Sequence, residues 1–315
     1  MLRAMTYRLI FMALLSASAF HLSSCSDDSE MPIMAGNTQA AISEGEKLYQ
    51  EAKSADQAGS TSKAIKLYDK MATRYPFAPS AAQARFRQAE LLEQQGEILK
   101  SFDAYNLFLT RFQGTGLYTT ALNRQIAMAQ MAADGDVKQS MLGLKTKLSL
   151  DKTVEMLSKV RENAPKSAAA AKAQFTIGQL YEGKHQSKDA ITAYRLLVKD
   201  QPGCPQAPEA LFRIGIILTA EADRGNQSQG NLDLAKEAFN DYLIQYPGDR
   251  RNAEARKMIA NIDSRDLQRS FDIAEFYLKT GQIESAKVYY RDIVKGTKSG
   301  DLHDKSVARL KELGG

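Results

Sequence analysis

Residues 171–202, with the sequence AKAQFTIGQLYEGKHQSKDAITAYRLLVKDQP, decide the fold of this chain of 315 residues. Two helical patterns lie in the stretch, and residues 183–187 separate them as a turn. The small residues Gly178 and Ala190 stand where two antiparallel helices must approach closely. Counted from residue 171 as position 1, the residues at positions 4, 7, 8, 11, 20, 24, 27 and 32 are Gln174, Ile177, Gly178, Tyr181, Ala190, Tyr194, Leu197 and Pro202.

This spacing is that of the tetratricopeptide repeat, a helix–turn–helix unit of 34 residues. Large side chains such as Tyr181, Tyr194 and Leu197 fill the space around the two small residues. Pro202 ends the second helix because proline lacks the amide hydrogen that would continue the helical ladder. The stretch therefore predicts a helical hairpin that packs on neighbouring copies of itself.

The same template fits five other stretches of the chain. Their residues at positions 8 and 20 are, in chain order, Ala52 and Ala64, Ala89 and Ser101, Ala127 and Thr153, Gly215 and Ala235, and Ala274 and Ala286. Residues 252–264 are expected to lengthen the first helix of repeat 6, and residues 303–313 to cap the C-terminus, with Val307, Leu310 and Leu313 on one face. The prediction is an all-α tetratricopeptide-repeat solenoid of about six repeats with a C-terminal capping helix, spanning residues 41–315.

Composition supports a helical fold and excludes several protein classes. The chain has only 20 glycines and 8 prolines, which argues against a loop-rich all-β fold. Its hydrophobic share of 43% argues against disorder and against a polytopic membrane protein. Length alone suggests two domains, but the repeats favour one segmented solenoid, in which the insertion at 134–148 is the best candidate for a break.

The N-terminal residues are predicted to be an export signal. Two arginines precede an apolar run over residues 9–20, which is too short to span a bilayer. Residues 22–25, Leu-Ser-Ser-Cys, resemble the lipobox of bacterial lipoproteins, where cleavage leaves the cysteine as a lipidated N-terminus. We therefore expect a signal peptide at 1–24, lipid on Cys25 and a flexible tether at 25–40 with a reach of about 20 Å. The alternative is an ordinary secreted protein with a chance cysteine.

The rest of the sequence contains few residues or motifs that indicate catalysis, metal binding or nucleic-acid binding. Removal of residues 1–24 leaves a net charge of +3, too mild to indicate nucleic-acid binding. With Cys25 acylated, Cys204 has no partner for a disulfide. His185 and His303 have no metal-ligand spacing, and residues 296–300 lack the glycine and lysine of a phosphate loop. We expect a non-catalytic protein without a metal or a cofactor.

One repeat position suggests a binding groove. Position 5 of the first helix faces the concave side of this repeat architecture, where peptides lie. It carries an aromatic residue in five repeats, namely Tyr49, Phe86, Phe175, Phe212 and Phe271, and Arg124 in the third. These rings could anchor an extended or helical peptide. The alternative is that they only cover the helix pair.

The lipobox and the repeat endings Tyr75-Pro76 and Tyr246-Pro247 together resemble the BamD family of outer-membrane lipoproteins. That resemblance implies a lipid anchor that includes palmitate and a place on the periplasmic face of the outer membrane. It also implies that the N-terminal repeats receive unfolded outer-membrane proteins and the C-terminal repeats dock on the barrel-forming partner. This chain departs from the family in having about six repeats rather than five, and in its insertion at 134–148.

Two other functions remain open at this stage. The extra repeat and the generic motifs also fit an envelope scaffold for peptidoglycan synthesis or Tol–Pal coordination. An envelope hydrolase is a third reading, against which the lack of a catalytic constellation argues. Residues 250–315 hold 14 basic and 10 acidic residues, so this C-terminal part of the chain could meet an acidic partner surface.

Overall fold

The architecture is that of a helical repeat protein, seen in a computed structural model that describes residues 38–141, 144–224 and 229–314. Within these ranges the helices are α1 (Thr38–Gln57), α2 (Thr61–Arg74), α3 (Ala81–Gln94), α4 (Ile98–Arg111), α5 (Tyr118–Asp134), α6 (Leu150–Asn163), α7 (Ala168–Gly183), α8 (Ser187–Asp200), α9 (Ala207–Asp223), α10 (Gln229–Gln245), α11 (Asn252–Lys279), α12 (Ile283–Gly296) and α13 (Asp301–Glu312). Two short strands, β1 (Lys138–Met141) and β2 (Leu144–Lys147), lie between α5 and α6.

The helices follow the predicted repeats. Successive pairs from α1–α2 to α11–α12 correspond to repeats 1 to 6, and α13 packs on α12 and α11 as the predicted cap. The prediction of an all-α tetratricopeptide-repeat solenoid is confirmed. In the cap, Leu310 and Leu313 pack against the repeat-6 cluster, whereas Val307, expected on the same face, is exposed.

The chain divides into two compact units, Met1–Ala84 and Arg85–Gly315, and the boundary falls inside α3. The expected break at 134–148 lies inside the second unit instead. In the first unit, α1 and α2 pack around Ala52, Ala64 and Met71, all of which are fully buried.

The predicted N-terminal segments fall almost wholly outside the described residues. Helix α1 begins at Thr38, so the last three residues of the expected tether at 25–40 are helical. The signal peptide at 1–24 and Cys25 lie outside the part of the chain that the structure describes.

Glycine and alanine set the close approach of the paired helices in the second unit. A Cβ atom on Gly178 would stand 2.4 Å from Cε1 of Tyr194, and one on Gly215 would stand 2.6 Å from Cζ of Phe239. Both rings are fully buried. The small residue at position 8 is therefore a packing requirement, because the ring at position 24 occupies the space of its side chain.

The insertion in repeat 3 forms a β-hairpin, a local departure from the helical fold. Strands β1 and β2 pair antiparallel, with Lys138 opposite Lys147 and Met141 opposite Leu144. Gly135 ends α5 in the left-handed conformation, with φ 81°, which redirects the chain into β1. The sequence predicts an insertion at 134–148 but not its two strands.

The register of repeat 3 corrects the sequence interpretation. Ala127, expected at position 8, is exposed, whereas Ala129 and Gln125 are buried. Position 8 is therefore Ala129, and Arg124 is not at position 5. Helix α5 is rich in alanine and has no aromatic residue to mark position 5, so its sequence leaves the register of repeat 3 open. In this register the fully buried Gln125 accepts a hydrogen bond at Oε1 from Asn163 Nδ2 of α6 at 2.9 Å.

Helix α11 joins two separate hydrophobic clusters. As predicted, residues 252–264 lengthen the first helix of repeat 6, which has 28 residues in all. Ala255 and Ile262 belong to the cluster of repeats 4 and 5, while Ala274 packs with Ala286 and Tyr290 in the cluster of repeat 6. No residue of α11 between Ile262 and Ala274 is buried.

Candidate functional site

The five aromatic residues at position 5 share one contact. Each ring packs on the ring at position 24 of its own hairpin, with tilted or edge-on geometry. The centroid distances lie between 5.4 and 5.9 Å for the pairs Tyr49–Tyr68, Phe86–Tyr105, Phe175–Tyr194, Phe212–Phe239 and Phe271–Tyr290. These contacts give each ring a structural role in holding its hairpin closed.

Exposure separates the five rings into two groups. Phe86 and Phe212 are buried, while Tyr49, Phe175 and Phe271 are half-buried and keep part of their surface accessible. Their assignment to a peptide groove stays a prediction. If it holds, the accessible rings offer a ligand more area than the buried pair.

Buried tyrosines at position 24 find acidic partners that the sequence analysis missed. The hydroxyls of Tyr68, Tyr105 and Tyr194 each donate to a carboxylate 12 residues earlier, respectively Asp56, Glu93 and Glu182. The separation of 12 residues between an acidic residue and each of these tyrosines is visible in the sequence, and buried hydroxyls need a polar partner.

An arginine from the next repeat joins the Tyr194 pair. Arg213 donates from Nη1 to Glu182 at 2.9 Å and from Nε to Glu209 at 2.6 Å. Its guanidinium also lies 5.9 Å from the ring centroid of Phe175. Burial, strengthened by the hydrogen bond to Glu182, raises the pKa of Tyr194, so this phenol stays a donor. The chain Tyr194–Glu182–Arg213 thus ties repeat 4 to repeat 5.

A second arginine repeats this arrangement one unit further along. Arg251 contacts Glu209, and its guanidinium lies 4.8 Å from the ring centroid of Phe212. The hydroxyl of Tyr242 donates to Asp249 at 2.6 Å, and burial together with this bond raises the pKa of Tyr242 to about 12. The same hydrogen bond, and that from the backbone N–H of Arg251, hold the pKa of Asp249 below its usual value.

Between α7 and α9 lies an open cleft of about 460 Å³, which we call the α7–α9 cleft. Ile216 and Ala220, both partly exposed, form an apolar floor. Its rim is charged and carries the ion pairs Glu182–Arg213 and Glu221–Arg224. An apolar floor between fixed polar groups is typical of a binding site. The residues that line this cleft form no motif in the sequence.

His185 lies on the rim of this cleft in an unusual backbone conformation. Its φ is 57°, in the left-handed region that favours glycine. The equivalent turn positions of repeats 1, 2 and 6 are Gly59, Gly96 and Gly281, with φ between 72° and 78°. The fold thus requires a left-handed residue at this turn position. In repeat 4 that residue is His185, whose side chain is exposed beside the cleft.

The described residues show neither metal clusters nor membrane spans. No group of three or more His, Cys, Asp or Glu side chains in these ranges is placed to hold a metal ion. No helix in the same ranges combines the length and the apolar character needed to cross a bilayer. The expectation of a protein without catalysis, metal or cofactor stays a prediction.

Comparison with known proteins supports the repeat assignment. The family profile described as tetratricopeptide repeat matches residues 49–114 and 175–250. These two segments correspond to repeats 1–2 and 4–5, and leave out repeats 3 and 6, in which the insertion and the long α11 depart from the template. No curated protein matches the chain.

Solved structures of repeat proteins resemble the chain at low identity. The C-terminal part of a repeat-containing protein from Cytophaga hutchinsonii is 13% identical, covers 87% of this chain and 95% of its own, and has a TM-score of 0.33. A tetratricopeptide repeat protein from Parabacteroides merdae is 12% identical, with coverages of 86% and 99% and a TM-score of 0.29. MamA from Desulfovibrio magneticus is 15% identical, with coverages of 65% and 97% and a TM-score of 0.29. Values this low support no transfer of function.

The repeats do define a general role. Proteins with tetratricopeptide repeats bind peptide or protein partners, and the fold is typical of scaffolds. The chain is therefore a protein-interaction scaffold.

Proposed function

We propose that this scaffold is a lipoprotein on the periplasmic face of the outer membrane, where it binds protein partners during the assembly and insertion of β-barrel proteins. The observation that carries the proposal is the order of features at the N-terminus. A basic start, a short apolar run and Leu22-Ser-Ser-Cys25 precede the first repeat. A multiply acylated Cys25 would hold the repeats at a membrane, because each buried methylene contributes about 0.8 kcal/mol.

The chemistry of the α7–α9 cleft supports a role in binding unfolded barrel segments. Membrane-spanning β-strands alternate apolar and polar side chains. An extended segment of this kind could place one apolar side chain on Ile216 and Ala220. Its neighbouring polar groups would then meet the charged rim. Arg213, which lines the cleft, also lies over the half-buried ring of Phe175.

Acylation tests the anchor directly. We expect the wild-type chain, produced in a bacterium with an outer membrane, to incorporate labelled palmitate and to fractionate with that membrane. Cys25→Ser should lose the label and move to the soluble fraction. Cys204→Ser is the matched control, since it removes the second of the two cysteines, and it should behave as wild type. Label retained in Cys25→Ser would contradict the proposal.

Depletion tests the assembly role. Loss of the protein should lower the amount of folded β-barrels in the outer membrane and raise the envelope stress response. Expression of Ile216→Lys should restore barrel levels poorly, whereas Ile244→Lys, at a residue on α10 that is 76% exposed, should restore them. Normal barrel levels after full depletion would overturn the proposal. Co-purification with a cell-wall synthase or a Tol component would instead favour the alternative envelope role.

A further inference from the structure

Repeat 6 presents several large apolar side chains that keep much of their surface exposed. Phe276, Ile283 and Val288 are 60%, 45% and 52% exposed. Beside them the half-buried rings of Tyr277 and Tyr289 stack on each other, with a centroid distance of 5.7 Å and an interplanar angle of 24°. We call these five residues the repeat-6 face. A group of this kind indicates an interaction site, whereas scattered exposed apolar residues do not.

Repeat 5 shows what covers the equivalent positions elsewhere in the fold. Alignment of Gly215 with Ala274 makes Ile217 the counterpart of Phe276, and alignment of Phe239 with Tyr290 makes Ala238 the counterpart of Tyr289. Both counterparts are buried. Leu218 and Leu232, the counterparts of Tyr277 and Ile283, are buried as well.

The covering elements in repeat 5 are helices of the preceding repeat. Ile217 lines the α7–α9 cleft and thus faces α7. Ala238 lines a second cleft together with Arg195 and Val198 of α8. The counterpart of Val288 is Glu237, which is exposed but lines the same second cleft. Four of the five positions are thus buried in repeat 5, on a side that receives a pair of helices.

The length of α11 explains why repeat 6 lacks this cover. Its N-terminal half packs on α10 through Ala255 and Ile262, while its C-terminal half pairs with α12. The extra residues at 252–264 move repeat 6 about 20 Å along the helix, away from the helices that would otherwise cover it. Among the described elements, α12 packs on α11 and α13.

From this geometry we infer that the repeat-6 face binds an amphipathic α-helix of a partner protein, which takes the place of the missing preceding helices. The partner's apolar stripe would contact Phe276 and the Tyr277–Tyr289 stack, as helices in grooves use side chains at i, i+3, i+4 and i+7. Its polar side would carry both signs of charge, because residues 271–296 hold four basic and four acidic residues. The inference rests on repeat packing alone and does not depend on the lipid anchor or on the barrel-assembly role.

Photocrosslinking in intact cells tests this inference on the full-length chain. The photoreactive residue p-benzoylphenylalanine is placed at Phe276, and in a control strain at Ile244, which is also apolar and highly exposed. We expect a crosslink at 276 and not at 244. Mass spectrometry of the crosslinked peptide should identify a segment of another protein with an apolar stripe of helical period and polar residues on its other side.

The identified segment is then synthesised and added to the purified protein. It should gain helical circular dichroism on binding, and Phe276→Lys should weaken the binding at least tenfold, with Ile244→Lys as the matched control. Phe276→Lys is not expected to unfold the chain, since its side chain is largely exposed. A crosslink to a second copy, to this chain's own N-terminal segment or to a non-helical peptide would overturn the inference, and so would the absence of a crosslink.

Discussion

Individual side chains in this protein combine packing with hydrogen bonding between repeats. The ring of Tyr194 fills the space above Gly178, and its hydroxyl donates to Glu182 at 2.7 Å. Glu182 in turn accepts from Arg213 of the next repeat. A single residue at position 24 thus closes its own hairpin and, through one carboxylate, fixes the hairpin that follows.

Glu275 has the same function near the C-terminus. It accepts hydrogen bonds from Tyr290 at 2.6 Å and from Arg309 of the capping helix at 3.0 Å. The bond from Tyr290, followed by that from Arg309, lowers the pKa of Glu275, so the carboxylate stays charged under mildly acidic conditions. The tyrosine–carboxylate–arginine contact of Tyr194, Glu182 and Arg213 therefore recurs in Tyr290, Glu275 and Arg309.

Replacing His185 with glycine should stabilise the protein. A non-glycine residue in the left-handed region costs about 1–2 kcal/mol, and the same turn position holds glycine in three other repeats. We expect His185→Gly to raise the free energy of unfolding by about 1 kcal/mol in urea denaturation. Lys184→Gly, at the adjacent residue with φ −98°, is the control and should lower it. A loss of stability in His185→Gly would mean that the histidine makes a compensating contact.

At the level of elements, helix pairs are held at short range by small residues facing rings. Gly178 and Gly215 lie in helix interiors, where glycine costs about 1 kcal/mol relative to alanine. Glycine is needed at both positions because ring atoms of Tyr194 and Phe239 occupy the space that a Cβ would take. The β-hairpin between α5 and α6 shows that the turn of a repeat accepts an insertion while the two helices still pair.

Gly178→Ala should destabilise the protein even though alanine favours helix. The added Cβ would fall within 3 Å of three ring atoms of the buried Tyr194, so the hairpin must open or the ring must move. We expect a loss of about 1–3 kcal/mol in the free energy of unfolding. Gly183→Ala in the same helix has no atom within 4 Å of the added Cβ and serves as the control. Equal stability of the two variants would show that the ring relaxes without cost.

At the scale of the whole molecule, the buried hydrophobic residues of the second unit are distributed unevenly among its repeats. Within the described residues the cluster of repeats 4 and 5 contains eighteen buried residues, whereas the cluster of repeat 6 contains three. The stretch of α11 between them is linked to its surroundings by polar contacts, such as Asp263 with Lys236 and Arg265 with Asp223. In repeat proteins each unit contributes its own stability and that of its interfaces.

Hydrogen exchange should resolve this difference in stability. We expect the backbone amides of α12 and α13 to exchange faster than those of α9 and α10 under native conditions, because fewer buried apolar groups oppose local opening. The measurement is exchange followed by mass spectrometry, with the two helix pairs of the same chain as internal references. Equal protection would show that the polar contacts along α11 couple repeat 6 fully to the rest of the unit.

The sequence by itself determined the repeats, their helices and, outside repeat 3, the role of the small residue at position 8, because those features depend on local spacing. A small residue at position 8, an interhelical turn and a proline at position 32 predict a helical hairpin. In repeat 4 these are Gly178, residues 183–187 and Pro202. The extension of α11 was likewise readable from a run without glycine or proline over residues 252–264.

Only the tertiary structure decided the features that depend on which elements meet. It placed Ala129 rather than Ala127 at the core of repeat 3, folded the insertion into a hairpin, and turned the rings at position 5 onto the rings at position 24. It also left Phe276 exposed while burying its counterpart Ile217. The two positions have the same place in the repeat pattern, and they differ because cover comes from a neighbouring helix whose position the local pattern does not encode.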